Sequence, residues 1–172
     1  MRIGLVAGST RVGGTTVAFV EEVRRRWTGQ PGVTTVTVAP DIEALPLFTT
    51  TRLAAGRPAG VEAWAAFAKT QDALLVATPE YAHGIPAALK SALEWLVASG
   101  EFSRKRILAC TVTPHAPRGE KCLRALTWTL QAMDAEVVAE LPIYATAATL
   151  RAPSPEEEWA ELVAAGLEVL TA

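Results

Sequence analysis

The residues best suited to chemistry lie in three short stretches, each directly after an apolar run. The first is Gly8-Ser9-Thr10-Arg11-Val12-Gly13-Gly14-Thr15-Thr16. Glycines, hydroxyls and an arginine ahead of a helical pattern suit a phosphate. N–H groups that open a helix attract an anion, and the helix dipole adds to that attraction. Ser9, Thr15 and Thr16 bring hydroxyl donors, and Arg11 a charge-assisted contact. The stretch lacks the G-K-[ST] ending of a P-loop and is not G-x-G-x-x-G. Asp41, the one candidate for a ribose-binding acid, lies too far along the chain. No acids follow the first apolar run, which sets aside a phospho-receiver site. The bland alternative is a tight turn without a ligand, and such turns rarely spend so many hydroxyls together with an arginine.

The second stretch is Thr78-Pro79-Glu80-Tyr81-Ala82-His83-Gly84-Ile85-Pro86, running into Leu89-Lys90-Ser91-Ala92-Leu93-Glu94-Trp95. Taken singly, Tyr81 reads as a half-buried packing residue and Glu80 as a solvated or helix-capping acid. The third, Thr113-Pro114-His115-Ala116-Pro117-Arg118-Gly119-Glu120, carries two prolines, which removes two N–H donors. His115 there either hydrogen-bonds a ligand or faces solvent.

The elements that hold these stretches alternate. Short apolar runs at 3–7, 33–38, 73–78, 107–112 and 137–143 read as strands. The 73–78 run is almost wholly apolar, hence central, and the threonine-rich 33–38 run suits an edge. Between them, apolar residues recur at helical spacing: Val17, Val20, Val23 and Trp27; Val61, Trp64, Ala65 and Ala68; Ile85, Leu89, Ala92, Leu93 and Leu96; Leu123, Leu126, Leu130 and Met133; Trp159, Leu162, Val163, Gly166, Leu167 and Leu170. Ser154, Pro155 and Glu157 spell a capping box for the last helix. Residues 40–60 read as a long surface connection. Strict alternation implies a parallel sheet with helices on both faces, and five strands suit the order 2-1-3-4-5. Ligands of such sheets sit beyond the carboxyl ends of the strands, where the three stretches fall.

The chain of 172 residues fits one domain, 1–172, and its formal net charge of -2 gives no attraction for nucleic acid or anionic membrane. Cys110 and Cys122 are too few for a disulfide framework, and with two histidines they lack zinc spacing, so no metal is expected. Cys110 reads as core, and Cys122 as reactive only if exposed. The opening apolar run is too short for a signal peptide, and a cytoplasmic location is expected.

The stretch at 78–95 resembles the P-E-Y-N-x-S-x-P-x-x-L-K-N-A-[IL]-[DE]-W pattern of the NADPH-dependent FMN reductase family, which includes quinone, chromate and azo-dye reductases. The first stretch resembles that family's G-S-x-R-x-x-S-x-N, and the likeness runs through the element order of the whole chain. It implies a flavodoxin-like three-layer sandwich, bound FMN, and NAD(P)H as co-substrate. It also implies ping-pong hydride transfer through FMN to a small acceptor, a quinone, free flavin, metal oxyanion or azo compound. The family's phosphate positions fall on Ser9 and Arg11, and on Gly14 and Thr16 in place of Ser and Asn, with Thr15 beside them. Its ring contacts fall on Pro79, Glu80 and Tyr81. Ala82 and Gly84 replace the usual Asn and Ser, and His83 lies between them. Thr113 and His115 stand where relatives carry Ser and Gly. A flavin ring needs a flat slot, an apolar wall and N–H donors at its pyrimidine edge, to which Tyr81 and Gly84 are suited. No side-chain acid, base or nucleophile is needed, so no catalytic residue is assigned. Relatives dimerise through the helices at 85–96 and 123–133, so a homodimer or dimer of dimers is expected, which would account for Trp95 and Trp128. The rival expectations are an FMN-binding electron carrier without turnover and a cofactor-free interaction module. Arg11, Arg52, Arg57 and Arg118 are the candidates for a nucleotide 2′-phosphate.

Overall fold

Alternation of apolar side chains along each strand decides the layering of the chain, for which a computed structural model describes residues 1–151 and 158–172. In strand β1 (Arg2–Ala7), Ile3 and Leu5 join one buried cluster and Val6 the other. Strand β3 (Ala73–Thr78) divides in the same way, Ala73, Leu75 and Ala77 against Leu74 and Val76. Side chains of period two that are apolar on both sides require cover on both sides. Helices α1 (Thr15–Trp27) and α7 (Glu158–Thr171) cover the first face through Phe19, Val23, Trp27, Trp159 and Val163. Helices α3 (Ala59–Thr70), α4 (Ala87–Val97) and α5 (Glu120–Ala132) cover the second through Trp64, Leu89, Leu93 and Leu126.

With β2 (Thr35–Val38), β4 (Arg106–Thr113) and β5 (Glu136–Tyr144), the sheet is parallel and ordered β2-β1-β3-β4-β5, as expected. The threonine-rich strand is at one edge. Pro142 lies in the opposite edge strand, where its missing N–H breaks no ladder on the open side. No described helix is long and apolar enough to cross a membrane.

Several details depart from the sequence reading. The 40–60 connection is partly ordered. A 3-10 turn (Ile42–Ala44) is capped by Asp41, whose carboxylate accepts the Glu43 N–H at 2.9 Å, and α2 (Thr50–Ala54) follows. The segment is tied to α4, because Trp95 Nε1–H donates to the Pro46 carbonyl at 2.8 Å and the Phe48 N–H donates to Ser91 Oγ at 2.8 Å. Trp95, expected at a subunit contact, is therefore a fully buried core residue, packed edge-on against Phe48. Helix α6 (Ala147–Arg151), which no periodicity announced, follows β5. The capping box at Ser154, Pro155 and Glu157 lies outside the described residues.

One glycine marks how closely α3 packs on β1. A Cβ on Gly4 would stand 2.6 Å from Leu74, 2.7 Å from Gln71 and 2.8 Å from Phe67. Overpacking of this kind typically costs about 1–3 kcal/mol. Gly4→Ala is expected to lower stability by that amount in urea unfolding, and an unchanged midpoint would show that the three side chains give way freely.

Candidate functional site

The strand order sets the carboxyl ends of β1, β3 and β4 side by side, and three hydrogen-bonded ties hold the loops that follow them. The first loop begins with the Gly8 N–H donating to the Ala77 carbonyl at 2.7 Å, which fastens it to β3. Ser9 Oγ then accepts the Arg11 N–H at 3.2 Å, and the Gly14 N–H donates to the Arg11 carbonyl at 3.0 Å. Gly13, at φ 65, lies in the left-handed region, which a glycine enters without strain. Gly14 is the N-cap of α1 and supplies no side-chain cap, and the first turn of α1 contains no acid. The first intrahelical donor is the Ala18 N–H, bonded to the Gly14 carbonyl at 3.0 Å. The N–H groups of Thr15, Thr16 and Val17 thus have no intrahelical acceptor. An uncapped, acid-free helix start beside Ser9 and Arg11 fits an anion such as a phosphate. Thr16 is buried, Thr15 half-buried and Arg11 exposed.

The second loop is a tight hairpin. The Tyr81 and Gly84 backbones exchange hydrogen bonds of 3.0 and 2.9 Å across Ala82 and His83, both at positive φ (49 and 64). Two left-handed residues in succession make a turn that favours Asn and Gly. The hairpin leaves Tyr81 half exposed, at 49%, a free ring face at the end of β3. Pro79, just before it, is partly buried, and its carbonyl accepts from Cys122 Sγ at 3.5 Å.

Glu80 ties the second loop to the third. Its side chain is only 8% exposed. One carboxylate oxygen accepts from His83 Nδ1 at 2.9 Å, and the other accepts the Gly119 N–H in a shorter bond. A carboxylate can only accept, so His83 donates from Nδ1. Burial pushes the Glu80 carboxyl up, but the His83 bond, the Gly119 N–H and the charges of His83 and Arg118 outweigh it and hold it below the usual carboxylate range. The backbone conformation at position 119 also requires glycine. Its φ is 95, and a Cβ there would stand 2.8 Å from Thr111 Oγ1.

The third loop satisfies itself. The Thr113 hydroxyl, buried, donates to the Arg118 carbonyl at 2.9 Å, and His115 Nδ1–H donates to the Ala116 carbonyl at 2.9 Å. His115 is exposed and turned onto its own loop. A cleft of about 410 Å³ opens between the second and third loops, lined by Glu80, His83, Pro117, Arg118 and Lys121. A larger groove of about 970 Å³, between the carboxyl end of α1 and α7, is lined by Arg25, Trp27, Val163 and Leu167 and contains no candidate residue.

The structure therefore brings Ser9, Arg11, Gly14, Thr15, Thr16, Pro79, Glu80, Tyr81, Ala82, His83, Gly84, Thr113 and His115 to the carboxyl end of the sheet. Arg57 is elsewhere engaged, paired with Glu101 at 3.0 Å and bonded to Ser99, and Arg52 donates to the Leu47 carbonyl at 2.6 Å. Cys122 is buried, and burial together with Glu80 pushes its thiol up to about 12, so the exposure its reactivity required is missing. Burial likewise raises Cys110. No metal-ligating cluster occurs among the described residues. Two features escaped the sequence reading: Gly119 as the partner of Glu80, and Arg151, whose Nη2 donates to the Gly13 carbonyl at 2.7 Å. A glycine directly before a helix hinted at the first, and nothing local marked the second.

Glu80→Ala leaves the buried Gly119 N–H without an acceptor, so a loss of about 1–3 kcal/mol in stability is expected. Glu80→Gln, which keeps an acceptor for Gly119, should lose less. A carboxyl held low in the folded state stabilises above its ordinary value of 4.5, and that contribution fades as pH falls through the folded value. The gap in melting temperature between wild type and Glu80→Gln should accordingly narrow below about pH 4. A gap independent of pH would contradict the charged clamp.

Residues 1–149 match the NADPH-dependent FMN reductase family. The chain is 31% identical over 111 residues to a quinone reductase from Escherichia coli (strain K12), a segment covering 63% of this chain and 59% of that relative. Less than two thirds of that protein's length is therefore matched. Among solved structures, FerB from Paracoccus denitrificans, a flavoenzyme NAD(P)H:(acceptor) oxidoreductase, superposes with a TM-score of 0.75 at 15% identity, covering 99% of this chain and 94% of that one. A flavodoxin from the domain Archaea superposes with a TM-score of 0.59 at 13% identity, covering 99% and 96%. These two likenesses bear on the fold, which is flavodoxin-like. Since the family match takes in all five strands and each of the three loops at their carboxyl ends, this chain belongs to the NADPH-dependent FMN reductase family.

Proposed function

We propose that this chain is a single-domain, FMN-dependent oxidoreductase. It takes a hydride from NAD(P)H and passes reducing equivalents to a small acceptor, a quinone, free flavin, metal oxyanion or azo compound, in ping-pong order. One observation carries the reading: the uncapped, acid-free start of α1 lies at the same carboxyl end of the sheet as the half-exposed Tyr81. The first binds a phosphate, and the second gives a flat wall to a planar ring. Family membership supplies the identity of a ligand that has both parts.

In this reading the N–H groups that open α1, with Ser9, Arg11, Gly14, Thr15 and Thr16, hold the FMN phosphate. Pro79 and Tyr81 to Gly84 frame the ring, and Glu80 fixes the hairpin against the third loop, where Thr113 and His115 lie. FMN supplies the two-electron chemistry when bound. The protein orients it, excludes water from one face and sets donors at its polar edge. Loop three, with Arg118 and Lys121 at the cleft, is placed to select what approaches. Two free cysteines suit a cytoplasmic setting. We read Trp128 on α5 and Val97 on α4, 65% and 58% exposed, as the contact of a homodimer or dimer of dimers. A monomer mass at micromolar concentration would remove that part.

The test is a visible spectrum during FMN titration, followed by anaerobic NADPH or NADH. Saturable binding well below about 1 mM, with bleaching of the flavin band on addition of either nucleotide, is the expected result. Binding without bleaching would make the protein an electron carrier. No binding would leave a cofactor-free module and overturn the proposal.

A further inference from the structure

A cation reaches the phosphate loop from outside the segment that matches the family. Strand β5 ends at Tyr144, and the Ala145 N–H donates to the Thr113 carbonyl at 2.9 Å. Thr146 then opens α6. Its hydroxyl accepts the Thr149 N–H at 3.3 Å, and its carbonyl accepts the Leu150 N–H at 3.1 Å. Leu150, 3% exposed, is buried in the same cluster as Phe19 of α1. The single turn of α6 is thus fastened at its start by hydrogen bonds and near its end by a core side chain. The next residue is Arg151, whose Nη2 donates to the Gly13 carbonyl at 2.7 Å. A Cβ on Gly13 would lie 3.6 Å from that nitrogen.

We propose that Arg151 is a phosphate-site residue, holding the peptide that opens the cradle and setting a permanent positive charge against the bound dianion. Gly13 and Gly14 share a peptide unit whose carbonyl is bonded by Arg151 and whose N–H is bonded to the Arg11 carbonyl. That unit leads directly into the N-terminal N–H groups of α1. One bond to Gly13 uses one of the five N–H donors of the guanidinium. Neither Arg11 nor Arg151 is paired with a carboxylate among the described residues, although both belong to one loop assembly. Two guanidiniums without a carboxylate partner among the described residues, at a helix start with no acid in its first turn, suit a ligand with two negative charges. The family match ends at residue 149, two positions before Arg151.

The inference rests on the FMN reading, and a comparison of FMN with riboflavin, which lacks the phosphate, separates the two. The full chain is titrated with each flavin, followed by flavin fluorescence, at low and high salt. Arg151→Met is expected to weaken FMN binding about tenfold, the size of one charge-assisted contact, and riboflavin binding by less than about twofold. The dependence of FMN affinity on salt should become shallower. Arg151→Lys, which keeps the charge, should recover most of the FMN affinity. Unchanged FMN affinity in Arg151→Met overturns the proposal. So does an equal loss for both flavins, which would mean that the residue only shapes the loop. Wild-type protein that binds neither flavin overturns the cofactor reading itself, and this inference with it.

Discussion

A parallel sheet covered by helices on both faces has no room for a polar ligand except at its ends, and that constraint organises this molecule. Every residue of β3 is buried, and the alternate side chains of β1, β3 and β4 go to two apolar clusters. A charged group placed inside those layers would meet no partner able to offset its desolvation. Polar chemistry is left to the loops, and strand order decides which loops meet. With β1 beside β3 and β3 beside β4, three loops distant in sequence become neighbours. Hydrogen bonds do the rest: Gly8 to Ala77 and Glu80 to Gly119 fix the loops, and Arg151 of α6 holds Gly13 from outside them.

Electrostatics sets the α1 end of that site apart from the hairpin end. The α1 end combines free helix N–H groups with Arg11 and Arg151, and no acid in its first turn opposes them. The hairpin end contains Glu80, buried and ionised because His83, Gly119 and Arg118 face it. An acid there does not compete for a phosphate, since both of its oxygens are spoken for. The hairpin also explains a residue preference. Its central pair sits at positive φ, so the Asn of the pattern this stretch resembles would fit position 82 better than Ala82 does. The chain tolerates the substitution because the flanking Tyr81–Gly84 bridge and the Glu80–His83 pair hold the turn shut.

The parts legible in the sequence were those repeated often enough to average out noise. Five apolar runs and five helical stripes point to one sheet, and the glycine- and proline-rich stretches between them fall where a parallel sheet binds ligands. Features made by one residue meeting another far away were not legible. Glu80 and Gly119 are 39 positions apart, and Gly13 and Arg151 are 138 apart. No local pattern encodes either bond. Trp95 looked like a surface contact because its helix already had a full apolar stripe. The carbonyl that claims its indole belongs to Pro46, in a segment that reads as loop. Helix α6 has five residues, too short for any period to show.

The third loop shows why departures from a family pattern need geometry before they are read as losses. Pro114 and Pro117 remove N–H donors, and the remaining polar groups turn inward: Thr113 to Arg118, His115 to Ala116, and Gly119 to Glu80. On the reading proposed above, such a loop contributes little to holding a cofactor. It is also rigidly placed, because Glu80 fixes its end to the hairpin and Ala145 fixes its start to β5. What it presents outward is the cleft wall, with Arg118 exposed beside the His83 ring and with Glu120 and Lys121 of α5 next to it. Under the proposed function, binding strength would reside in loops one and two, and selection of the second substrate in loop three. The two could then vary separately, because the Glu80 clamp fixes the loops to each other through the Gly119 N–H and the His83 ring.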